Sequence, residues 1–292
     1  MEFWWLALII WIVAIALVIA AFSLRNKRKL SMQILFCLSL FLLLFKTVEF
    51  STYRIINRPS YPVEFSHISY FVLGAAMVSG IKKMRSFAGL CSLASGFGFL
   101  VAATAAPSSI YNDTSSIYSM IVSISQHLIL LFAGVLLVFS FDKYSIKDIW
   151  ISFVGVASIL IFSWLVHKRI IYKDFSKWDD MVIVYMMTGT ILKYVLPSGF
   201  VIPLWLRIGT IVVLLAAMVG AIVLYTLINN KIFDKREKNG NALQDADYEL
   251  GIKAVVLYFI NKKKNAQPPK QEPTDLQSQE VEKDIHTETT DL

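Results

Sequence analysis

Seven apolar runs, each near the roughly 20 residues an α-helix needs to cross about 30 Å of hydrocarbon, recur along this chain. They cover 3–22, 31–50, 62–80, 86–106, 117–139, 149–166 and 203–228. Such a chain has a bilayer as its folding solvent, where no water is at hand to satisfy backbone N–H and C=O groups, and the α-helix satisfies them within one segment. The composition agrees: hydrophobic residues make up 56% of 292, charged residues only 17%, and mean hydropathy is +0.60, outside the balance of a soluble globular chain. The expected fold class is all-α, a polytopic transmembrane helix bundle of seven spans.

Charge at the loop ends sets the expected orientation. The first run follows Met1-Glu2 without a basic n-region or a small-residue cleavage site, so it reads as a retained span and not a signal peptide. Arg25, Lys27, Arg28 and Lys29 follow it; Lys82, Lys83 and Arg85 follow the third run, Lys143 and Lys147 the fifth, and Lys231, Lys235, Arg236 and Lys238 the last. The positive-inside rule places these loops in the cytoplasm and the N-terminus outside. The dissenting connection, 167–202, carries Lys168, Arg169, Lys173 and Lys177, but long segments obey the rule poorly. Within it, 181–196 is short, contains Lys193 and is closed by Pro197-Ser198-Gly199, which predicts an interfacial or re-entrant helix in preference to an eighth span. The net charge of +7 is spread over loop ends and forms no nucleic-acid patch. Cys37 and Cys91 support neither a disulfide framework nor a zinc site, and nothing in the sequence calls for a metal or cofactor.

Three regions follow: a transmembrane domain over 1–230, a basic cytoplasmic segment over 231–266 with a short amphipathic helix, and an acidic tail over 267–292. The island "AVVLYFIN" is too short to span. Flanked by Lys253 and Lys262-Lys263-Lys264, it suits a helix on the anionic inner leaflet or one packed against the inner loops. Prolines and acids with almost no apolar residues predict disorder from Gln267 onward.

The informative residues are those that lipid should exclude. A charge at a helix centre costs roughly 2.5–3.5 kcal/mol by insertion scales, so intramembrane ionisable groups call for a role. Lys46 and Glu49 close the second run, Glu64, Ser66 and His67 open the third, and Gln126 and His127 sit in the polar turn "SISQHL" of the fifth. All fall in the expected outer half, with His127 about 15 Å deep. Glu64 and His67, three apart, share a helix face, whereas Ser66 is turned about 100° from His67. Structural readings stand beside the functional one: Glu49 or Glu64 as an ion-pair partner of Lys46, Arg54 or Arg58, and Gln126 with His127 as interhelical hydrogen-bond donors and acceptors. Small residues four apart, Ala94 with Gly98, Ala216 with Gly220 and Ala217 with Ala221, are expected to let helices approach closely.

At "YPVEFSHIS" (61–69), "GLCSLASGFGFLVAATAAP" (89–107) and "ISQHLILLFAGVLL" (124–137) the sequence resembles the YwaF family of bacterial integral membrane proteins, which is grouped with an animal transmembrane phospholipid acyltransferase. The resemblance covers about residues 30 to 230. It implies a multi-pass protein of the bacterial cell (plasma) membrane acting on phospholipid, with a nucleophile attacking an ester, a histidine taking and returning the proton, and the acyl chain passing to a lysophospholipid. The sequence departs from the family at two positions: aligned on Pro62, the motif histidine is Glu64 and the motif cysteine is Ser66, while His127 matches directly. The candidate catalytic set is therefore Ser66 with His67 or His127 as base and Glu64 orienting it, and the candidate substrate-binding residues are Glu49 and Gln126.

The leading expectation is an acyltransferase-like membrane protein with a polar pocket in its outer half that binds or processes a phospholipid, with membrane lipids as partners. The alternatives are a proton-coupled carrier of a small solute using Glu49, Glu64 and His127, and a non-catalytic scaffold whose 267–292 tail recruits a cytoplasmic protein.

Overall fold

The structure is a computed structural model that describes residues 4–55, 64–105, 117–168, 199–240 and 247–252, with single positions at 170, 188–190, 192, 196, 254 and 256–257. Seven α-helices account for most of the described residues: α1 (Trp4–Leu24), α2 (Arg28–Ile55), α3 (Phe65–Ser79), α4 (Arg85–Ala105), α5 (Ile117–Ser140), α6 (Ile146–His167) and α7 (Leu204–Lys238). A 3₁₀ turn, Lys82–Met84, joins α3 to α4, and no β-strand occurs among the described residues. The helical class expected from the apolar runs is what the chain forms.

Six of these helices are long and apolar enough to cross a membrane. α3 differs from the expectation. Its 15 residues reach about 22 Å at 1.5 Å per residue, short of the roughly 30 Å a full span needs. It starts at Phe65, with Glu64 as its N-cap, and ends where Gly80 turns into the left-handed region at φ 73°, the usual way to satisfy the last carbonyls of a helix. α7 departs in the other direction: its 35 residues run unbroken past position 230 to Lys238, and the compact unit that contains it extends to Lys253. The second unit begins at Ala254; within it Ala254, Val256 and Leu257 are helical. The predicted 181–196 helix, most of the island helix and the 267–292 tail lie outside the described residues, as does Pro62.

α4 and α5 form the centre, packed against each other more extensively than any other pair, with α3 on α4, α2 on α3, and α1 on α5. Ala7, Ile10, Ala14 and Ala21 are the buried positions of α1, and their spacing of three, four and seven lays one narrow stripe against the bundle. The outward faces stay apolar. Leu8, Ile12, Ile15 and Ile19 on α1 and Ile208, Val212, Val219 and Leu224 on α7 are exposed, an arrangement that suits lipid and not water.

Lipid gives helices no hydrophobic reason to associate, so close backbone approach matters. The approach is made by Gly96 and Gly134, and the pair is reciprocal. A Cβ on Gly96 would meet the backbone N of Leu131 at 2.5 Å, and one on Gly134 would meet the backbone N of Leu93 at 2.5 Å. Gly98 and Gly220, expected from their spacing to serve this role, have no neighbour within 4 Å. The approach thus uses one glycine on each of two helices and not the small residues four apart that the spacing predicted.

One end of the bundle is held by a buried ion cluster. Arg28 and Arg85 open α2 and α4 and are 3% and 0% exposed, although a cation at a helix N-terminus meets an unfavourable dipole. Two carboxylates offset this. Arg28 Nη2 lies 3.3 Å and Arg85 Nη1 3.0 Å from Asp142, while Glu249 pairs with Arg28, with Arg85 Nη2 at 2.6 Å and with Lys82 Nζ at 3.0 Å. α7 is stitched to the same end: Asn229 Nδ2 donates to Val138 O and Asp142 O and its Oδ1 accepts from Tyr144 N, and Arg236 donates to Arg25 O and Phe139 O. We refer to this as the arginine end.

Burial alone would raise the Glu249 carboxyl, but the hydrogen bond and charge of Arg85, aided by Lys82 and Arg28, outweigh it and hold the group at about 2 against an ordinary 4.5. A depressed native value contributes stability that is complete above the unfolded value and is lost as pH falls through the native one. The difference in thermal midpoint between wild type and Glu249→Gln in detergent should therefore stay constant above about pH 4.5 and shrink toward about pH 2; a difference that changes between neutral and mildly acidic pH would contradict the assignment. Gly134→Ala should cost about 1–3 kcal/mol by overpacking against Leu93, whereas Gly98→Ala should be neutral or slightly stabilising in the same unfolding experiment.

Candidate functional site

At the end opposite the arginines, a cavity of about 410 Å³ opens between α2, α3 and α5, a volume within the range of small-molecule sites. Its polar walls include Lys46 and Glu49 from α2, His67 and Tyr70 from α3, and Ser123, Gln126 and His127 from α5. Three stretches separated by up to 81 positions in sequence thus meet at one place. Val48 and Tyr118 also line the cavity, and they are 63% and 70% exposed. The cavity is therefore open sideways between α2 and the start of α5.

Each polar side chain is placed by its helix. Lys46 and Glu49 are three apart, one turn of α2, and their Nζ and Oε2 are 2.6 Å apart with side chains 7% and 21% exposed. The Lys46 ammonium lies 4.8 Å from the centre of the Tyr70 ring, a cation–π contact from the facing helix. Tyr70, 1% exposed, brings its hydroxyl to 3.4 Å from His127 Nδ1. That nitrogen lies 2.8 Å from the carbonyl of Ser123, one turn earlier on α5. A carbonyl only accepts, so Nδ1 carries the proton and Nε2 is the acceptor of the neutral imidazole. The ring is stacked on Phe99 of α4, centroids 4.2 Å apart and 15° between planes. His67 meets the Phe50 ring edge-on at 5.2 Å, and Gln126 is 4% exposed.

Of the residues singled out in the sequence, Glu49, His67, Gln126 and His127 line the cavity. Glu64 and Ser66 are half-buried at the start of α3 and are not among its lining residues. Glu64 is the N-cap of α3, with extended backbone and no side-chain capping bond; its carbonyl accepts from Ile68 N at 3.1 Å. It is not a first-turn residue, because the helix starts at Phe65. Tyr70 and Phe99 were missed, whereas Ser123 belongs to the polar turn already singled out. Aromatic residues in an apolar run do not stand out, and only the fold shows which of them face His127.

The cavity offers an ammonium, a carboxylate, an amide and imidazole side by side, so it is suited to a ligand with both charge signs. Among the described residues no group of three or more His, Cys, Asp or Glu side chains gathers as a metal site requires. Cys91 is buried in the core and Cys37 is exposed on α2, both as free thiols. Comparison with protein-family models, with curated proteins and with solved structures finds no match in any of the three. The functional reading therefore rests on this geometry and the sequence.

The Lys46–Glu49 pair makes a direct test of the site's energetics. Glu49→Leu alone strands a buried ammonium and should cost about 3 kcal/mol, while the double variant Lys46→Met/Glu49→Leu should return to within about 1 kcal/mol of wild type. Unfolding in detergent measures both, and a double variant as unstable as the single one would show that either charge has a further partner.

Proposed function

We propose that this is an integral membrane protein of the cell membrane whose cavity lies in the outer-leaflet half and binds the polar head of a phospholipid. The six long apolar helices support membrane integration, and the basic loop ends support the orientation. The observation that carries the ligand class is the sideways opening. Phe41, Leu44 and Val48 form an exposed apolar stripe on α2 that runs up to the cavity edge at Val48, so acyl chains on that stripe would place a head group beside Lys46 and Glu49. A zwitterionic head answers both charges: Lys46 faces the phosphate and Glu49 the ammonium, exchanging their mutual pair for two charge-assisted contacts. Gln126 supplies an amide to the phosphodiester oxygens, and His127 Nε2 accepts a hydrogen bond from a head-group N–H or hydroxyl.

The resemblance to the YwaF family extends this to acyl transfer. In that extension the lipid ester reaches beyond the cavity lining to Ser66 at the start of α3, whose Oγ attacks the carbonyl; His67 or His127 takes the hydroxyl proton and returns it to the departing lysophospholipid oxygen, and a second lysophospholipid takes the acyl group from the serine.

Titration of the detergent-solubilised protein with short-chain phosphatidylethanolamine tests binding. Gln126→Leu and Lys46→Met should each weaken it by about tenfold, the loss of about 1.4 kcal/mol of charge-assisted or amide contact, and Gly98→Ala should leave it unchanged. Equal affinity in all four proteins would sink the proposal. In liposomes supplied with a labelled phosphatidyl donor and a lysolipid acceptor, label should move in a manner dependent on Ser66 and His127 if acyl transfer occurs; binding without transfer would confine the function to lipid binding.

A further inference from the structure

The arginine end holds a second polar centre whose design exceeds what anchoring a chain segment needs. Three cationic side chains from three elements, Arg28 at the start of α2, Lys82 in the 3₁₀ turn and Arg85 at the start of α4, converge on the single carboxylate of Glu249. With Asp142 included, the cluster has three positive and two negative charges, so it keeps one unit of positive charge even with Glu249 in place. The two guanidiniums are fixed independently of Glu249. Both lie 5.9 Å from the centre of the Phe141 ring, both reach Asp142, and Arg28 also donates to the carbonyl of Phe141. The cations are therefore preorganised, and the carboxylate is the member that arrives from elsewhere.

It arrives on a slender segment. Residues 247–252 have no regular structure before Ile252. Besides the Glu249 contacts, the segment is held by Arg28 Nε donating to Tyr248 O at 3.1 Å, by Lys29 over the Tyr248 ring at 5.7 Å, by Tyr248 and Leu250 packed against the hydrophobic core, and by Gly251 against Gly80. Gly251 has φ 137°, and a Cβ there would lie 2.8 Å from Gly80 Cα, so glycine is required for this approach. The Glu249 and Lys82 side chains are 24% and 60% exposed, against 0–3% for the arginines. The exchangeable pair thus faces solvent and the fixed pair lies beneath.

We propose that the Arg28–Lys82–Arg85 cradle is a phosphate-binding site that the chain closes with its own Glu249. Three donors share two carboxylate oxygens in the closed form; a phosphate monoester presents three terminal oxygens, one for each of Arg28 Nη2, Arg85 Nη2 and Lys82 Nζ, and brings nearly twice the charge. Arginine's planar fork suits this geometry. Occupation by phosphate expels Glu249 and releases the 247–252 segment, so the segment is a latch whose key is a phosphate monoester, carried by a lipid head or free in solution. The site is separate from the cavity at the opposite end, and the proposal does not depend on what that cavity binds.

Hydrogen exchange of the peptide covering 247–252, followed on the full chain in nanodiscs, tests this directly. In phosphatidylcholine alone the segment should be protected. Adding phosphatidic acid to the nanodisc, or inorganic phosphate to the buffer, should speed its exchange by about tenfold or more as the latch opens. A response to phosphatidic acid alone assigns the key to a lipid head, and a response to both assigns it to phosphate in general. Lys82→Gln, at an exposed position that leaves both arginine pairs intact, should abolish the response, and Glu249→Gln should bind phosphate about tenfold more tightly because its internal competitor is weakened. If neither anion changes the exchange of wild type and Glu249→Gln does not bind phosphate, Glu249 is a fixed counterion and the proposal is overturned. A Lys82→Gln protein that responds as wild type does overturns it equally.

Discussion

The contact between α4 and α5 is the constraint on which the molecule depends. In hydrocarbon, helices gain from packing and from polar contacts but not from hiding apolar surface, so a pair that brings backbones together sets the position of everything attached to it. Gly96 and Gly134 do this by each receiving the backbone of the other helix. Arg85 begins α4 and Asp142 follows α5, which fixes the ion cluster at one end. His127 lies about one turn before Leu131 on α5, which fixes the cavity at the other. Both polar centres hang from one apolar seam.

The two centres handle charge in different ways. In the cavity, Lys46 and Glu49 are neighbours on one helix, and their pairing needs no tertiary structure beyond the Tyr70 face above it. At the arginine end, the charges come from five places along the chain and exist as a cluster only in the folded state. A local pair tolerates a ligand that separates it, since each partner keeps its position on α2. At a distributed cluster three elements share one carboxylate through Arg28, Arg85 and Lys82, while Asp142 keeps both guanidiniums in place when that carboxylate leaves.

This difference also explains what was legible in the sequence. Apolar runs of membrane length read out as helices because their signal is continuous over twenty residues, and polar residues inside them, such as Glu49 and His127, stood out against that background. Face selection was less legible: Gly98 and Gly96 are two residues apart on the same helix, and composition does not say which turns toward α5. The ion cluster was illegible for another reason. Arg28 and Arg85 sit among loop-end cations that the orientation rule already accounts for, and their partner Glu249 lies in a polar segment where one acid among many has no distinguishing context. Long-range pairing of ordinary charges is a property of the fold. The 3₁₀ turn that brings Lys82 and Arg85 to the same carboxylate likewise has no compositional mark.

The separation in sequence has a consequence for how the protein comes to be made. Glu249 follows Arg85 by 164 positions and Arg28 by 221. At ribosomal speeds of about 5–20 residues per second, roughly 10–30 s pass between synthesis of Arg85 and of its last counterion. During that interval α2 and α4 have two arginines at their starts and only Asp142, once made, to share between them. The arginine end is thus electrically complete only once residue 249 has been made, and a chain that stops before it leaves the cluster unfinished. The closing carboxylate is encoded near the end of the message and pairs with cations encoded near its beginning.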